Sequence, residues 1–328
     1  MCYSPWDPST SPGTTSGGSG AAVASGMGLL SIGTDTGGSV RHPASNCGVV
    51  GFKATFGRVS RAGVWATSWT TDQAGPLTKT VEDNAIAMEA LTGYDANDLV
   101  SINLPPGEYL SGLNESIRGL RIGLPADSWV WRDWIGQDEE DAVRRAVAVF
   151  EELGAEVSEV RIPLSYEARN NSLAAEAPVW LRDNFSEDVL KDWVEIHPQL
   201  ERGDEQTFVE YIHAQQKRMA IRQEVAGVLQ RVDAIAMPTG STIGDLWNAE
   251  AAVIRGRTVP ARPRAVYLNG MASQTGLPAI SIPCGFAKDG RFPVGLQLVG
   301  RDLDEALLLR LGYAYQQATD WHIRRPPV

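Results

Sequence analysis

The sequence is poor in cysteine and has no long apolar run. Its 328 residues include only Cys2, Cys47 and Cys284. Because these are odd in number and far apart, they exclude a disulfide framework and a paired-cysteine zinc or redox motif. No stretch approaches the roughly 18 apolar residues of a membrane span, and the first residues lack the basic and apolar regions of a secretory signal. These absences predict a cytoplasmic protein without a membrane partner.

Positive charge is also scarce. The chain carries 29 Lys and Arg residues against 40 Asp and Glu residues, which gives a net charge of −11. Nucleic acid or an anionic membrane would need an excess of basic residues on one face, so neither is predicted as a partner. A small neutral molecule is the expected partner, and a homodimer is left open.

Apolar periodicity predicts alternating strands and helices. A small, apolar segment at 21–30 is typical of a tightly packed buried helix, and Thr80 with Asp83 is typical of a helix start. Further helices are predicted at 138–153 and 304–318, and strands at 48–52, 119–125, 156–162, 232–238, 279–284 and 293–300. The order strand, helix, strand over 119–162 indicates an α/β fold. Residues 165–230, which are polar and helical in pattern, are expected to cap the sheet.

Two glycine-serine clusters, at 12–19 (PGTTSGGS) and 33–41 (GTDTGGSVR), require an explanation. Neither ends in the Gly-Lys-Ser/Thr of a phosphate-binding loop, and neither has the spacing of a dinucleotide fingerprint. Neither centres a serine in the Gly-x-Ser-x-Gly of a nucleophile elbow. No cofactor and no metal are therefore predicted.

The second cluster places a hydroxyl beside consecutive backbone amides. In this interpretation Ser39 attacks an acyl carbon while the amides of Thr36, Gly37 and Gly38 stabilise the resulting oxyanion, which glycines allow to approach the main chain. A serine hydroxyl needs a base or relay for this step. His42 lies three residues on, but nothing near it resembles a Ser-His-Asp triad. The other histidines, His197, His213 and His322, lie in polar segments.

Several separated motifs resemble the amidase signature family. They occupy 6–19, 33–41, 43–44, 47–53 (CGVVGFK), 57–60, 75–78, 275–285 (TGLPAISIPCG), 293–300 and 319–322. The resemblance covers most of the chain outside 165–230, and the motifs occur in the family's order. It implies an amidase-signature fold over 1–328: a central mixed sheet with helices on both faces, lacking its N-terminal elements. Within it, 165–230 would shape the substrate pocket.

The resemblance further implies a Ser-Ser-Lys triad. Ser39 matches the nucleophile that forms the acyl-enzyme, and Ser16 matches a bridging serine held by a cis peptide bond. Thr36, Gly37 and Gly38 match the oxyanion loop, and the motif also places Asp35 and Arg41 as its supports. The family's lysine lies upstream of the bridging serine, so these 328 residues alone are expected to show little or no activity. Lys53 and Lys79 lie in motifs that support the family's site rather than supply its base.

Three functions remain open at this point. The first is an amidohydrolase acting on a carboxamide, an ester or a carbamate, since all three share a tetrahedral intermediate. The second is the glutaminase-like A subunit of a tRNA-dependent amidotransferase, and the third is an inactive fragment that retains the fold. The tail at 319–322 and the tryptophans favour the stand-alone enzymes. Trp65, Trp69 and Trp180 suggest an apolar or aromatic pocket, although packing in the core is the more frequent use of tryptophan.

Overall fold

A computed structural model describes residues 2–13, 15–65, 67–171, 173–240, 250–260, 264–287 and 290–327. These ranges contain eleven α-helices: α1 Gly17–Ala24, α2 Arg41–Cys47, α3 Val81–Leu91, α4 Ser128–Arg132, α5 Gln137–Glu152, α6 Glu176–Asn184, α7 Glu187–Asp192, α8 His197–Glu205, α9 Phe208–Leu229, α10 Arg264–Thr275 and α11 Glu305–Ala318. They also contain ten strands: β1 Leu30–Asp35, β2 Val50–Lys53, β3 Gln73–Thr78, β4 Arg121–Pro125, β5 Glu156–Val160, β6 Ala234–Pro238, β7 Ala251–Ile254, β8 Arg257–Pro260, β9 Ala279–Ala287 and β10 Phe292–Val299.

The strands form one large mixed sheet. Its described part has eight strands in the order β1-β3-β2-β9-β10-β6-β4-β5, and β7 pairs with β8 in a separate hairpin. Strand β4 runs parallel to β5 and β6, whereas the other pairs in the sheet are antiparallel. The predicted α/β fold, a mixed sheet flanked by helices, is confirmed. None of the described helices combines the length and apolarity that crossing a bilayer requires.

Local sequence explains the best-predicted elements. Helix α5 buries Val143, Val147 and Phe150 on one face, as its periodicity predicts, and the side chain of Glu139 accepts a hydrogen bond from the amide of Gly136 at the helix start. Thr80 caps the N-terminus of helix α3, and its side chain accepts from the Asp83 amide as the sequence predicts. Helices α6 to α9 confirm that 165–230 is helical, and its role as a cap stays a prediction.

The helix predicted over 21–30 is wrong in its second half. Helix α1 ends at Ala24, and Gly26 adopts a φ of 74°, a left-handed conformation that stops the helix. Met27 and Leu29, which are apolar in the sequence pattern, are 84% and 87% exposed, and Leu30 begins β1. Strands β1 and β3 and helix α10 were not predicted from the sequence, because their polar and glycine residues hide the apolar pattern.

One lysine lies inside this core. The side chain of Lys53 on β2 is fully buried, and its Nζ donates to the carbonyl of Ala54 at 3.0 Å and to Oε1 of Gln73 at 3.3 Å. Burial, together with the positive charge of Arg41, lowers the pKa of Lys53 to about 7, while Asp35 and Glu305 oppose the shift. The ammonium is thus held by polar contacts that only partly replace water.

This burial predicts how stability depends on pH. An exposed lysine has a pKa of about 10.4. Between about pH 7 and about pH 10, Lys53 therefore binds more protons in the unfolded chain than in the folded one. The contribution of Lys53 to the free energy of unfolding should therefore increase as the pH rises through this range. The free energy of unfolding, measured with urea, should differ less between about pH 7 and about pH 9.5 in Lys53→Met than in the wild type.

The exposed Lys191 provides the matched control. In Lys191→Met the free energy of unfolding should change between the two pH values as much as it does in the wild type. An equal change in the free energy of unfolding in the wild type and in Lys53→Met would show that burial does not lower the pKa of Lys53.

Candidate functional site

Ser39 lies in a tight turn between β1 and α2. Strand β1 ends at Asp35 and helix α2 begins at Arg41, so the predicted oxyanion loop, 36–38, and Ser39 fall between two fixed elements. The Ser39 side chain is half-buried. The turn begins at the sheet edge formed by β1 and returns directly into a buried helix, which restricts the positions that the serine can adopt.

A buried ion pair closes this turn. Asp35 and Arg41 are both fully buried, with Nη2 of Arg41 2.8 Å and Nε 3.0 Å from the two carboxylate oxygens. The same carboxylate accepts the amides of Gly38 at 2.8 Å and Val40 at 3.2 Å. Burial alone would raise the pKa of Asp35, but the Arg41 guanidinium outweighs it and brings the pKa down to about 2. One carboxylate therefore fixes the backbone on both sides of Ser39.

Residues far along the chain complete the environment of Arg41. Its guanidinium donates to the carbonyl of Asn269 at 3.2 Å, to Oγ of Ser273 at 2.7 Å and to Oε1 of Gln297. Ser273 Oγ in turn donates to Asp35 at 3.2 Å. Sequence reasoning missed these three residues. Only Gln297 carried a signal, since it lies in the 293–300 motif, whereas α10 had no recognisable pattern.

The glycines of the turn have different surroundings. Gly38 has a φ of 118°, and a Cβ at this position would lie 2.4 Å from Cβ of Asn269. Its amide is taken by Asp35, as described above. Among the described residues, the amides of Thr36, Gly37 and Ser39 donate to no protein acceptor. These three amides remain able to bind an oxygen of a bound molecule.

The structure places Ser16 at the same end of β1 as the Ser39 turn. Ser16 precedes α1 and is 7% exposed; its Oγ donates to the carbonyl of Thr34 at 3.2 Å and accepts the Thr34 amide at 3.1 Å. A side chain at Gly33 would collide with it, because a Cβ there would lie 2.7 Å from Ser16 Oγ. The two glycine-serine clusters therefore meet across the last residues of β1.

Helix packing maintains this arrangement. Helices α1 and α2 share a small apolar cluster of buried residues: Ala21, Val23, Ala24, Val40, Ala44, Cys47, Val49 and Leu77. A Cβ at Gly20 would lie 3.1 Å from both the Cys47 sulfur and the Pro43 carbonyl. Since α1 follows Ser16 and α2 follows Ser39, close contact between these helices fixes the two serines relative to each other.

The lysines of the predicted motifs bond elsewhere. Lys53 Nζ contacts Ala54 and Gln73, as given above, and Lys79 Nζ donates to the carbonyls of Gly48 at 3.4 Å and Arg324 at 2.7 Å. Neither ammonium bonds to Ser16, so the upstream lysine stays a prediction.

A cleft of about 520 Å³ opens beside the turn. Asp72, one of its lining residues, accepts a hydrogen bond from Oγ1 of Thr36 at 2.6 Å. Trp65, Trp69 and Trp180, which the sequence suggested for a pocket, all line the cleft. Arg61 and Asp98 also line it and lie 3.6 Å apart. The turn and an aromatic cleft are thus neighbours.

Known proteins resemble this chain in sequence and in fold. The family model described as Amidase matches residues 2–309. The chain is 39% identical to the A subunit of the glutamyl-tRNA(Gln) amidotransferase of Chloroflexus aggregans, over 98% of this chain and 70% of that protein. It is 38% identical to an amidase of Pseudomonas putida, over 98% of this chain and 69% of that enzyme.

A solved structure agrees with these matches. The A subunit of the glutamyl-tRNA(Gln) amidotransferase of Thermotoga maritima superposes with a TM-score of 0.78 at 34% identity, over 97% of this chain and 68% of that one. The family predicted from the motifs is confirmed, as is its C–N hydrolase class. The chain belongs to the amidase signature family.

Proposed function

We propose that this chain carries the nucleophile and relay of an amidohydrolase that cleaves a carboxamide through an acyl-enzyme on Ser39. The observation that supports the proposal most strongly is that Ser16 is hydrogen-bonded to Thr34, next to the end of β1 at which the Ser39 turn begins. The buried Asp35–Arg41 pair supports it further, because it fixes the turn before any substrate binds.

In the first step the Ser39 oxygen attacks the carbonyl carbon, and its proton passes to Ser16 Oγ. The carbonyl oxygen becomes an oxyanion, for which the amides of Thr36, Gly37 and Ser39 are the available donors, while the Gly38 amide is taken by Asp35. The C–N bond then breaks, and the leaving amine takes a proton returned through Ser16. In the second step water attacks the acyl carbon and Ser39 is released.

Ser16 relays a proton but does not remove one permanently. We assign the base to a lysine upstream of Ser16, as the family resemblance implies, since Lys53 and Lys79 bond to other groups. A lysine must be neutral to accept the proton, which burial favours. Esters and carbamates pass through the same tetrahedral intermediate and belong to the same proposal.

The relatives favour a second candidate, the glutaminase activity of an amidotransferase's A subunit. Glutamine carries an ammonium and a carboxylate, and both groups need charged or polar partners in a site. In the cleft, Arg61 and Asp98 form a pair with each other, and both side chains are at most 7% exposed. This pairing leaves the two charges of glutamine poorly matched and favours a neutral amide.

Covalent labelling tests the nucleophile. A fluorophosphonate has a good leaving group and therefore needs less help from a base than an amide does. It should phosphonylate Ser39 in the wild type, should fail with Ser39→Ala and should react at least about a hundredfold more slowly with Ser16→Ala. Mass spectrometry of the peptide that contains Ser39 measures the adduct and its rate of formation.

Ser19 is the matched control, because it lies in the same cluster as Ser16 but donates to the carbonyl of Ile32. Ser19→Ala should react at the wild-type rate. An adduct on another residue, or an equal loss of rate in Ser16→Ala and Ser19→Ala, would contradict the assigned roles.

The geometry of the turn gives a separate prediction. Gly38→Ala forces a side chain into Asn269 and into a left-handed φ, so it should lower the free energy of unfolding by about 1–3 kcal/mol and slow the labelling of Ser39. Gly18→Ala is the control: this helical glycine has open space around it, so alanine should stabilise the protein by about 0.5–1 kcal/mol. Urea unfolding and the labelling rate measure both effects, and a Gly38→Ala variant as stable and reactive as Gly18→Ala would refute the tight fit.

Protection from labelling separates the two candidate functions. A neutral arylcarboxamide should slow phosphonylation of Ser39 at lower concentration than glutamine does, because Arg61 and Asp98, which line the cleft, pair with each other. The experiment compares the concentrations that halve the labelling rate. Stronger protection by glutamine would favour the glutaminase activity instead.

A further inference from the structure

Resting on the proposed function, we infer that the cleft beside Ser39 is a binding site for a planar aromatic group of a neutral amide, with Trp65 and Trp69 as its specificity-determining residues. We call it the tryptophan cleft; the residues that line it include Arg61, Trp65, Trp69, Asp72, Asp98 and Trp180. Three independent features carry this inference: the link between the cleft and the turn, the fixed aromatic walls and the pairing of its charges.

A single carboxylate links the cleft to the nucleophile turn. Oδ1 of Asp72 accepts the Thr36 hydroxyl at 2.6 Å, and Oδ2 accepts the amides of Thr67 at 2.5 Å and Ser68 at 2.8 Å. Thr36 opens the turn that contains Ser39, while residues 67 and 68 lie between the two tryptophans. Asp72 thus connects the turn that carries Ser39 to the loop that carries both tryptophans, and on this link we place the tryptophan cleft within reach of a molecule whose carbonyl meets Ser39.

The aromatic walls are held in place from behind. The Trp65 ring contacts those of Trp180 at 5.3 Å, Phe185 at 5.1 Å and Trp193 at 4.6 Å between centroids. Even so, Trp65 stays 37% exposed. Exposed aromatic surface that is fixed by packing can stack on a ligand ring without losing much conformational entropy.

Trp69 is fixed in a different way. Its ring lies under the guanidinium of Arg61 at 5.0 Å, and its carbonyl accepts a hydrogen bond from Arg61 at 2.7 Å. The ring is nevertheless 42% exposed. A large aromatic surface is thus open to solvent on this side of the cleft as well.

Glu176 joins the loop that bears Trp65 and Trp69 to helices α6 and α9. Its carboxylate accepts the hydroxyls of Ser68 at 2.6 Å, Thr70 at 2.8 Å and Tyr211 at 2.9 Å. Glu176 is the first residue of α6, and Trp180 lies one turn later on that helix. The hydrogen bonds of Glu176 therefore set the position of Trp180 against Trp65, so the wall that these two rings form is in place before a ligand binds.

The charged groups Arg61 and Asp98 of the cleft lie next to each other. Arg61 is 8% exposed, donates through Nη1 to the carbonyls of Trp69 and Asp72 and lies 3.6 Å from Asp98, while its Nε and Nη2 are buried and donate to no described acceptor. Asp98 also accepts the backbone amide of Arg61 at 2.8 Å. A charged ligand would have to break this pair, which is costly for buried groups, whereas a neutral aromatic ring only removes apolar surface from water.

Paired phosphonate probes test the inference. One probe carries a phenethyl group and fluoride, the second a hexyl group and fluoride, and the third a hexyl group with a phenoxy leaving group. The ratio of variant to wild-type labelling rate at Ser39, taken for each probe, removes differences in intrinsic reactivity. Trp65→Leu should slow at least one of the aromatic probes about tenfold more than the hexyl fluoride probe. A larger effect on the first probe would place the ring on the acyl side, and a larger effect on the third probe would place it on the leaving-group side.

Further variants keep the test specific. Trp65→Phe retains a flat ring and should recover most of the aromatic preference. Trp321→Leu removes a half-buried tryptophan that stacks on Phe286, outside the cleft, and should leave all the ratios unchanged. Urea unfolding of each variant shows that it is folded, and Trp69→Leu takes the place of Trp65→Leu if the latter is not.

The outcomes separate the inference from the function on which it rests. If wild-type Ser39 is labelled, two results would overturn the aromatic site and leave the nucleophile intact. In the first, the folded leucine variant is slowed by the same factor with all three probes. In the second, its labelling by the aromatic probes is not slowed. Absence of any Ser39 adduct in the wild type overturns the proposed function, and the aromatic site with it.

Discussion

The arrangement of the site depends on the buried pair of Asp35 and Arg41. Neither charge reaches solvent, and each has more hydrogen bonds than the pair alone would provide: the carboxylate accepts two backbone amides, and the guanidinium reaches α10 and β10. Taking two charges out of water costs several kcal/mol per ion, and only such complete hydrogen bonding offsets it. The turn that carries Ser39 is therefore shaped by groups that never need to touch a substrate.

The same pair explains why a glycine occupies position 38. The carboxylate draws the Gly38 amide inward, which brings the backbone to a positive φ and against Asn269. Only a residue without a side chain fits there. Steric demand of the same kind acts at Gly33, which leaves room for the Ser16 hydroxyl. The glycine-rich composition of the two clusters thus reflects close packing of backbone against side chain rather than flexibility.

The sequence predicted those parts of the molecule in which local signals and packing agree. Helix α5 and strand β4 have regular apolar patterns, and Thr80 caps its helix through a contact only three residues long. It failed where tertiary contacts decide the conformation. Gly26 was a local signal for the end of α1 at Ala24, but the apolar residues around it obscured it, whereas nothing local indicated that Ser273 on α10 would reach Asp35 across more than two hundred residues. The serines and the glycine turn were found through motifs, whereas their partners could only be found in three dimensions.

The two carboxylate oxygens of Asp72 bond to different segments, and this affects which substitutions could change the ligand preference of the site. One oxygen holds the threonine that starts the nucleophile turn, and the other holds the loop that bears both tryptophans. Exchanging a ring at position 65 or 69 alters the shape offered to a ligand while this bridge stays in place. Replacing Asp72 itself would disturb recognition and reactivity together. The shape of this surface can therefore change through the rings while the Asp72 carboxylate keeps the turn and the loop connected.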